Sequence, residues 1–328
     1  MRYLISALAA LTVTALLLWL GPRPVQVSAE RTGDPELAAR VAEHAGSGHH
    51  HLSALLLDAD GPRFAGLGAD EHTEFEIGSV TKTFTAQIMA NHIAAGRITE
   101  DTTVADIIDA GDSEIADVTL RELADHTSGL PRLPRGFLFS SLITSITAAN
   151  PYAGISREEV IDDALNASLS DRGEQEYSNL GVALLGQLIA IEAGSTWEEL
   201  VDEQILTPLD MTATYAMTDG AVAESAPRGL TTTGRHAEPW EMGGYLPTGG
   251  LRSTSADMAR YAAHILETGV PDFTWSTDDD GRRTHHGGTY GYRTTLIIDE
   301  ASGRAAYVAG DTTADVHEVA QALLEEEN

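Results

Sequence analysis

The chain has 328 residues, 42% of them hydrophobic and 21% charged: enough apolar surface for a full core, too little for a polytopic membrane protein. Its 50 acidic residues outnumber 20 basic ones for a net charge of −30, so the basic footprint that phosphate backbones require is missing and nucleic-acid partners are excluded. Without cysteine there are no disulfides, thiolate nucleophiles or cysteine metal sites, and Lys82, the sole lysine, lies outside any glycine-rich phosphate loop.

Residues 1–29 read as an export signal: Met1-Arg2 is a positive start, Tyr3 to Leu20 is mostly apolar, and Val27-Ser28-Ala29 is a small-residue cleavage site. An uncleaved N-terminal anchor is the alternative, since this apolar run approaches the length that spans a bilayer. Both readings place the remainder outside the cytoplasm, secreted or held at the outer face of the membrane. Removal of 1–29 takes away Arg2 and Arg23 and leaves 18 basic residues against 50 acidic ones, net −32. Such a surface suits a salt-rich or acid-tolerant exterior. A genomic preference for Arg, Asp and Glu accounts for the same composition.

Asp34 as cap, Pro35 in the first turn, Leu37/Val41/Ala45 on one face and Gly46 beyond predict a helix. His49-His50-His51 runs into an apolar segment, which predicts a strand entrance with exposed imidazoles rather than a metal site. The turn residues Asp58 to Pro62 join Leu52–Leu57 to a returning strand, Arg63 to Gly66. From Ser79 to about Tyr245 the spacing is mainly helical, as in Val80/Phe84/Ile88 and Val182/Leu185/Leu188/Ile191 before Gly194. Strands return at Thr284–Thr289, Arg293–Ile298 and Arg304–Ala309. A last amphipathic helix carries Val316, Val319, Ala320, Leu323 and Leu324 and frays at Glu325–Glu327. Asp278-Asp279-Asp280-Gly281 reads as a solvated turn. The expected fold is α/β in the α+β sense: one antiparallel sheet with terminal helices against it, and a helical lobe between early and late strands. The lobes are 30–78 plus 246–328, and 79–245.

Three fragments carry chemistry. In Ser79-Val80-Thr81-Lys82 the i, i+3 spacing at a predicted helix start sets an amine beside a hydroxyl, and an amine of lowered pKa can activate serine. Arginine cannot replace it, because guanidinium does not deprotonate near neutral pH. Tyr177-Ser178-Asn179 presents a phenol and a carboxamide just before a helix. His285-His286-Gly287-Gly288 places two glycines in a strand, where they weaken it but let a substrate approach the backbone. Metal ligation by His285 with His286 is disfavoured, as strand neighbours point to opposite faces. His126, in His126-Thr127-Ser128-Gly129, reads as a structural residue holding a loop.

Taken in this order, Ser79-x-x-Lys82, Tyr177-x-Asn179 and His285-x-Gly287 resemble the three signature boxes of the serine β-lactamase and penicillin-binding hydrolases. The nearest look is to the class C-like branch with its D-alanyl-D-alanine carboxypeptidases and esterases. Phe75 to Thr85, Leu123 to Pro131 and Gly249 to Ala259 also resemble that branch, and the likeness covers nearly all of 30–328. The resemblance implies that Ser79 is the acylated nucleophile, Lys82 its proton acceptor or relay, and Tyr177 a proton shuttle that also helps activate water. It implies that Asn179 holds the substrate amide, that His285 closes the network beside Tyr177, and that the strand at Gly287 and Gly288 binds substrate. The N–H groups of Ser79 and Gly288 would form the oxyanion hole. No cofactor and no metal are implied. Where β-lactamase members carry Lys-Thr-Gly, this chain has His285-His286-Gly287. An imidazole is cationic only part of the time, which weakens recognition of a β-lactam carboxylate; Arg293 or Arg252 are the candidates to meet a carboxylate instead. The expected function is an exported serine hydrolase acting on an amide or ester of a small molecule or cell-wall peptide, D-alanyl-D-alanine-type peptides first. An esterase, a β-lactamase or a non-catalytic penicillin-binding sensor are the alternatives.

Overall fold

The structure, a computed structural model, describes residues 6–7, 10–15, 21, 23–133 and 147–325. The strands are β1 (Arg31–Gly33), β2 (Leu52–Asp58), β3 (Gly61–Leu67), β4 (Phe75–Glu76), β5 (Tyr215–Ala216), β6 (Leu251–Ser253), β7 (Ser276–Thr277), β8 (Arg283–Gly288), β9 (Arg293–Asp299) and β10 (Arg304–Gly310). Seven form one antiparallel sheet in the order β1-β3-β2-β10-β9-β8-β7. The five strands expected from sequence are its centre; β1 and β7, of three and two residues, extend its edges and are too short to show a period. For the same reason β4, β6 and β5, a small second sheet, were not legible, and β5 interrupts the segment read as helical.

Both faces of the large sheet are covered, so its strands are apolar on both sides. Helix α1 (Pro35–His44) starts where the Asp34 carboxylate accepts from the Glu36 and Leu37 N–H groups at 2.9 Å, with Pro35 in the first turn. Its Leu37 and Val41 pack on Leu52, Ala54 and Leu56, together with Val319 and Leu323 of the C-terminal helix. The opposite face, with Leu55, Leu296, Ile298 and Tyr307, joins the core of the helical lobe. That core holds α2 (Thr81–Ala94), α3 (Asn179–Ala193) and α4 (Ser255–Thr268); the C-terminal helix is α5 (His317–Leu324). Helix α3 is capped by Ser178 Oγ, which accepts from Gly181 N–H at 2.9 Å, and ends at Gly194 in the left-handed region. Every residue from Leu180 to Ala190 is buried, the signature of a helix through the middle of a core.

Residues 1–5, 8–9, 16–20 and 22 of the expected export segment, and the fraying tail beyond Glu325, lie outside the described residues. Residues 23–30 lie against the body: Arg23 N–H donates to Thr233 O at 2.8 Å and Ser28 N–H to His50 O at 2.9 Å. Among the described residues no single helix is long and apolar enough to cross a membrane.

Two local expectations need correction. The α-helix begins at Thr81, and Ser79 sits on a preceding 3-10 turn, Gly78–Val80, which β8 and β9 hold from the outside. The His49–His51 triplet is not a row of exposed imidazoles: His49 is buried, its Nδ1 accepting from Gly46 N–H at 3.0 Å and its Nε2 donating to Asp315 O at 2.9 Å, while His50 and His51 converge on Asp311 at the end of β10. These three residues precede β2 and so escape its strict alternation.

Candidate active site

The site is assembled where the Gly78–Val80 turn, β8, and the residues just before α3 meet. Close backbone approach fixes this meeting and explains the glycines. A Cβ on Gly287 would lie 1.9 Å from Ile77 O, and one on Gly78, whose φ is +50°, would lie 2.4 Å from Gly288 N. Thr294 Oγ1 on β9 donates to Ile77 O at 2.8 Å and locks the turn to the sheet. Ser79 thereby faces a cleft of about 190 Å³ whose walls include Tyr152, Tyr177, Asn179, Trp240 and Gly288. It also borders an adjoining cavity of about 490 Å³ along His286, Gly287 and Arg293.

Three side chains converge. Ser79 Oγ is 2.7 Å from Tyr177 Oη, and Lys82 Nζ is 3.0 Å from the same Oγ. Lys82 is fully buried, and Nζ donates to Thr248 O at 2.7 Å. Burial lowers the Lys82 pKa below that of an ordinary lysine, and the Arg132 charge lowers it further. A neutral amine has two N–H groups and one lone pair. With one N–H engaged by Thr248 O, the lone pair is available to the Ser79 hydroxyl proton. Tyr177 is half-buried, and the desolvation of its phenol by itself raises its pKa; the Lys82 charge, the hydrogen bonds from Lys82 and Ser79, and Arg132 outweigh that and bring it below the usual phenol range. Arg132 lies over the Tyr177 ring at 4.9 Å.

Tyr177 is positioned by what surrounds it. His126, a non-glycine residue at φ 61°, packs its ring against Tyr177 at 4.6 Å between centroids, and its Nδ1 accepts from Ser178 N–H at 3.2 Å. Its proton is therefore on Nε2. Ser178 Oγ also donates to Pro131 O at 2.8 Å. The structural part read for His126 is what the geometry shows. Asn179 Nδ2 donates to Tyr152 Oη at 3.2 Å, and its Oδ1 is buried with no partner, leaving an acceptor at the cleft wall for a substrate N–H.

Of the residues singled out from sequence, Ser79, Tyr177, Asn179 and Gly288 line the cleft, Lys82 lies beneath it and Gly287 lines the adjoining cavity. His285 does not contact that space. It lies behind Tyr177 in a separate cavity shared with His126 and Thr274, its Nδ1 donating to His286 O at 3.1 Å. Alternation along β8 sets His285 on the same face as Gly287, toward the helical lobe and the turn that carries Ser79, while His286 turns to the other face, its Nδ1 3.1 Å from Thr295 Oγ1 and its ring edge-on to His317 at 4.7 Å. Burial and the nearby Lys82 charge push the His285 pKa down to about 3, so the imidazole is neutral at ordinary pH and is no cation for a substrate carboxylate. Arg252 cannot meet a carboxylate either, because it is fully buried and bonded to Glu74, Pro227 O and Tyr292. Arg293 remains. Its Nη1 donates to Thr289 O and Tyr292 O at 2.8 and 3.0 Å, and it makes no carboxylate ion pair among the described residues. In so acidic a chain, the charged groups at these walls are Arg132, Arg293 and one acid, Asp315. Arg132, Tyr152, Trp240 and Thr248 were not found from sequence. Arg132 alone had a signal, as the residue that follows Leu130-Pro131.

This fold and this Ser–Lys–Tyr cluster define a class, and sequence comparison agrees: a model of the family described as Beta-lactamase matches residues 38–274, and the chain belongs to that family. It is 28% identical over 239 residues to penicillin-binding protein 4 of Amycolatopsis lactamdurans, covering 69% of this chain and 58% of that protein's length. Among solved structures, a beta-lactamase/D-alanine carboxypeptidase from Pseudomonas syringae shares its fold at a TM-score of 0.73 and 15% identity, over 89% of this chain and 98% of that one. A D-stereospecific amidohydrolase from a Streptomyces species does so at 0.68 and 21%, over 88% and 96%.

Proposed function

We propose that the chain is an exported serine hydrolase that cleaves an amide or ester through an acyl-Ser79 intermediate, with D-alanyl-D-alanine-type peptides as its amide substrates. The observation that carries this reading is the buried Lys82 amine 3.0 Å from a serine oxygen that is itself 2.7 Å from a phenol. Ser79 Oγ attacks the carbonyl carbon and its proton passes into the Lys82–Tyr177 pair. The tetrahedral oxyanion forms beside the Ser79 and Gly288 backbone. As the carbon–leaving-group bond breaks, Tyr177 returns a proton to the departing nitrogen or oxygen. Water then repeats the sequence on the acyl-enzyme, freeing acid and Ser79.

An anionic substrate is supported by Arg293 and Arg132 at the walls, and a peptide by the unpartnered Asn179 Oδ1. The relatives' printed names point the same way: a penicillin-binding protein, a D-alanine carboxypeptidase and a D-stereospecific amidohydrolase. With residue 285 a neutral imidazole, a β-lactamase role ranks below the peptidase. Intact mass after incubation with a fluorophosphonate or penicillin should show one adduct per chain, lost in Ser79→Ala. Turnover of a D-Ala-D-Ala peptide, nitrocefin and a short-chain ester then ranks the substrates. An unlabelled, inactive wild-type protein would overturn the reading in favour of a binding protein.

A further inference from the structure

We propose that His50, His51 and Asp311 form a binding site for one divalent transition-metal ion, of which zinc is the natural probe. The two imidazoles present the same kind of atom to the same oxygen. His50 Nδ1 is 2.9 Å and His51 Nδ1 3.0 Å from Asp311 Oδ2, with the rings 3.8 Å apart between centroids. The carboxylate is 11% exposed and the imidazoles about a third, so the ligands are sheltered and an entry path remains open.

The backbone holds these directions. Asp311 Oδ1 accepts from His51 N–H at 2.8 Å, His50 O accepts from Ser28 N–H at 2.9 Å, and Asp311 O accepts from Leu230 N–H at 2.7 Å. On the far side, His49 Nε2 bonds Asp315 O at 2.9 Å, so the entrance of β2 is already fastened to the segment after β10. Glu30, whose carbonyl accepts from Gly68 N–H at 2.9 Å, adds negative charge near His51.

Two consecutive histidines ordinarily point apart when they belong to a strand. Here they lie just outside β2, and their Nδ1 atoms meet. A metal ion between them and Oδ2 takes the place of the Nδ1 protons, each neutral imidazole keeping its other proton on Nε2. With bonds of about 2.0–2.1 Å to nitrogen and oxygen, tetrahedral ligands lie about 3.3 Å apart, so the two nitrogen–oxygen separations need widen only by a few tenths of an ångström, and all the ligand atoms already lie within 4.8 Å of one another. Two imidazoles and one carboxylate suit zinc, cobalt or nickel, and not magnesium or calcium, which prefer oxygen. The remaining coordination position faces solvent. The metal would be structural: it clamps the first long strand to the 311–317 segment, whose Asp315 and His317 line the cavity beside Ser79.

The test uses the full chain stripped with a chelator. Calorimetry with zinc chloride is expected to show one ion per chain, and melting temperature should rise by about 5 °C at a hundredfold excess over Kd. Cobalt should give ligand-field absorption at one equivalent, and magnesium should change neither quantity. The double variant His50→Gln/His51→Gln should lose the calorimetric signal. The milder single variant His51→Gln, which keeps the backbone bond to Asp311, should weaken binding at least about tenfold and serves if the double variant does not fold. Absence of one-to-one binding in the wild type, an equal response to magnesium, or wild-type affinity in the His51→Gln variant overturns the proposal.

Discussion

Lys82 is a nitrogen that burial has made easier to deprotonate, set 3.0 Å from a hydroxyl oxygen. Lys82→Arg keeps a cation of similar reach and removes the titratable lone pair, since a guanidinium does not deprotonate. The rate of acylation should fall by at least about a hundredfold, the usual worth of a general base. Stopped-flow labelling of the purified variant measures this, with circular dichroism to show that the fold survives the bulkier side chain. Arg293 belongs to the same scale but to a different quantity. Its guanidinium stands at the cavity wall without a carboxylate partner among the described residues. Arg293→Gln should raise KM for a peptide with a free C-terminal carboxylate about tenfold or more, the scale of a charge-assisted hydrogen bond, and leave a neutral ester nearly unchanged. Equal effects on both substrates would falsify a carboxylate role.

At the level of elements, the site depends on how closely β8 passes the Gly78–Val80 turn. Gly287→Ala puts a methyl group where Ile77 O already stands, a backbone atom that cannot rotate away. The strand must move, and with it Gly288 and the turn carrying Ser79. A loss of about 1–3 kcal/mol is expected from such overpacking, read as a lower melting temperature, with activity falling further than the stability loss explains. The nucleophile box and the Tyr-x-Asn triplet were legible because their geometry is local: i, i+3 across one turn, and two residues beside a helix cap. What escaped is set by register and tertiary approach. His285 and His286 are indistinguishable as letters, and only the pairing of β8 with β9, His285 opposite Leu296, decides which one faces the helical lobe and which the other side of the sheet. Tyr152 and Trp240 reach the cleft from irregular segments that have no period to read, and the two- and three-residue strands offer none either.

For the whole molecule, two neutral imidazoles in the interior tie stability to acidity. His126 and His285 are each pushed down to about 3, chiefly by burial and then by the Lys82 charge, against 6.5 for a free histidine. Because the unfolded chain takes up these protons first, their contribution is fully present above pH 6.5. It is lost progressively as pH falls toward 3, by up to about 1.4 kcal/mol per pH unit for each residue. His285→Asn should therefore flatten the fall of melting temperature between pH 6.5 and 4 relative to wild type. No step attributable to His285 should appear in the activity profile between pH 5.5 and 7.5, the range in which an unperturbed imidazole titrates. The sheet that carries all of this has its earliest long strand in the middle, with Leu52–Leu57 paired to Ala305–Gly310. Consequently the central pairing of the sheet joins segments about 250 residues apart in sequence and cannot form before both have been made. Such distant pairing is slow to find. The turn that carries Ser79 is held by β8 and β9 and therefore waits on this long-range pairing, so the time a chain needs to order its site is a property of the topology itself.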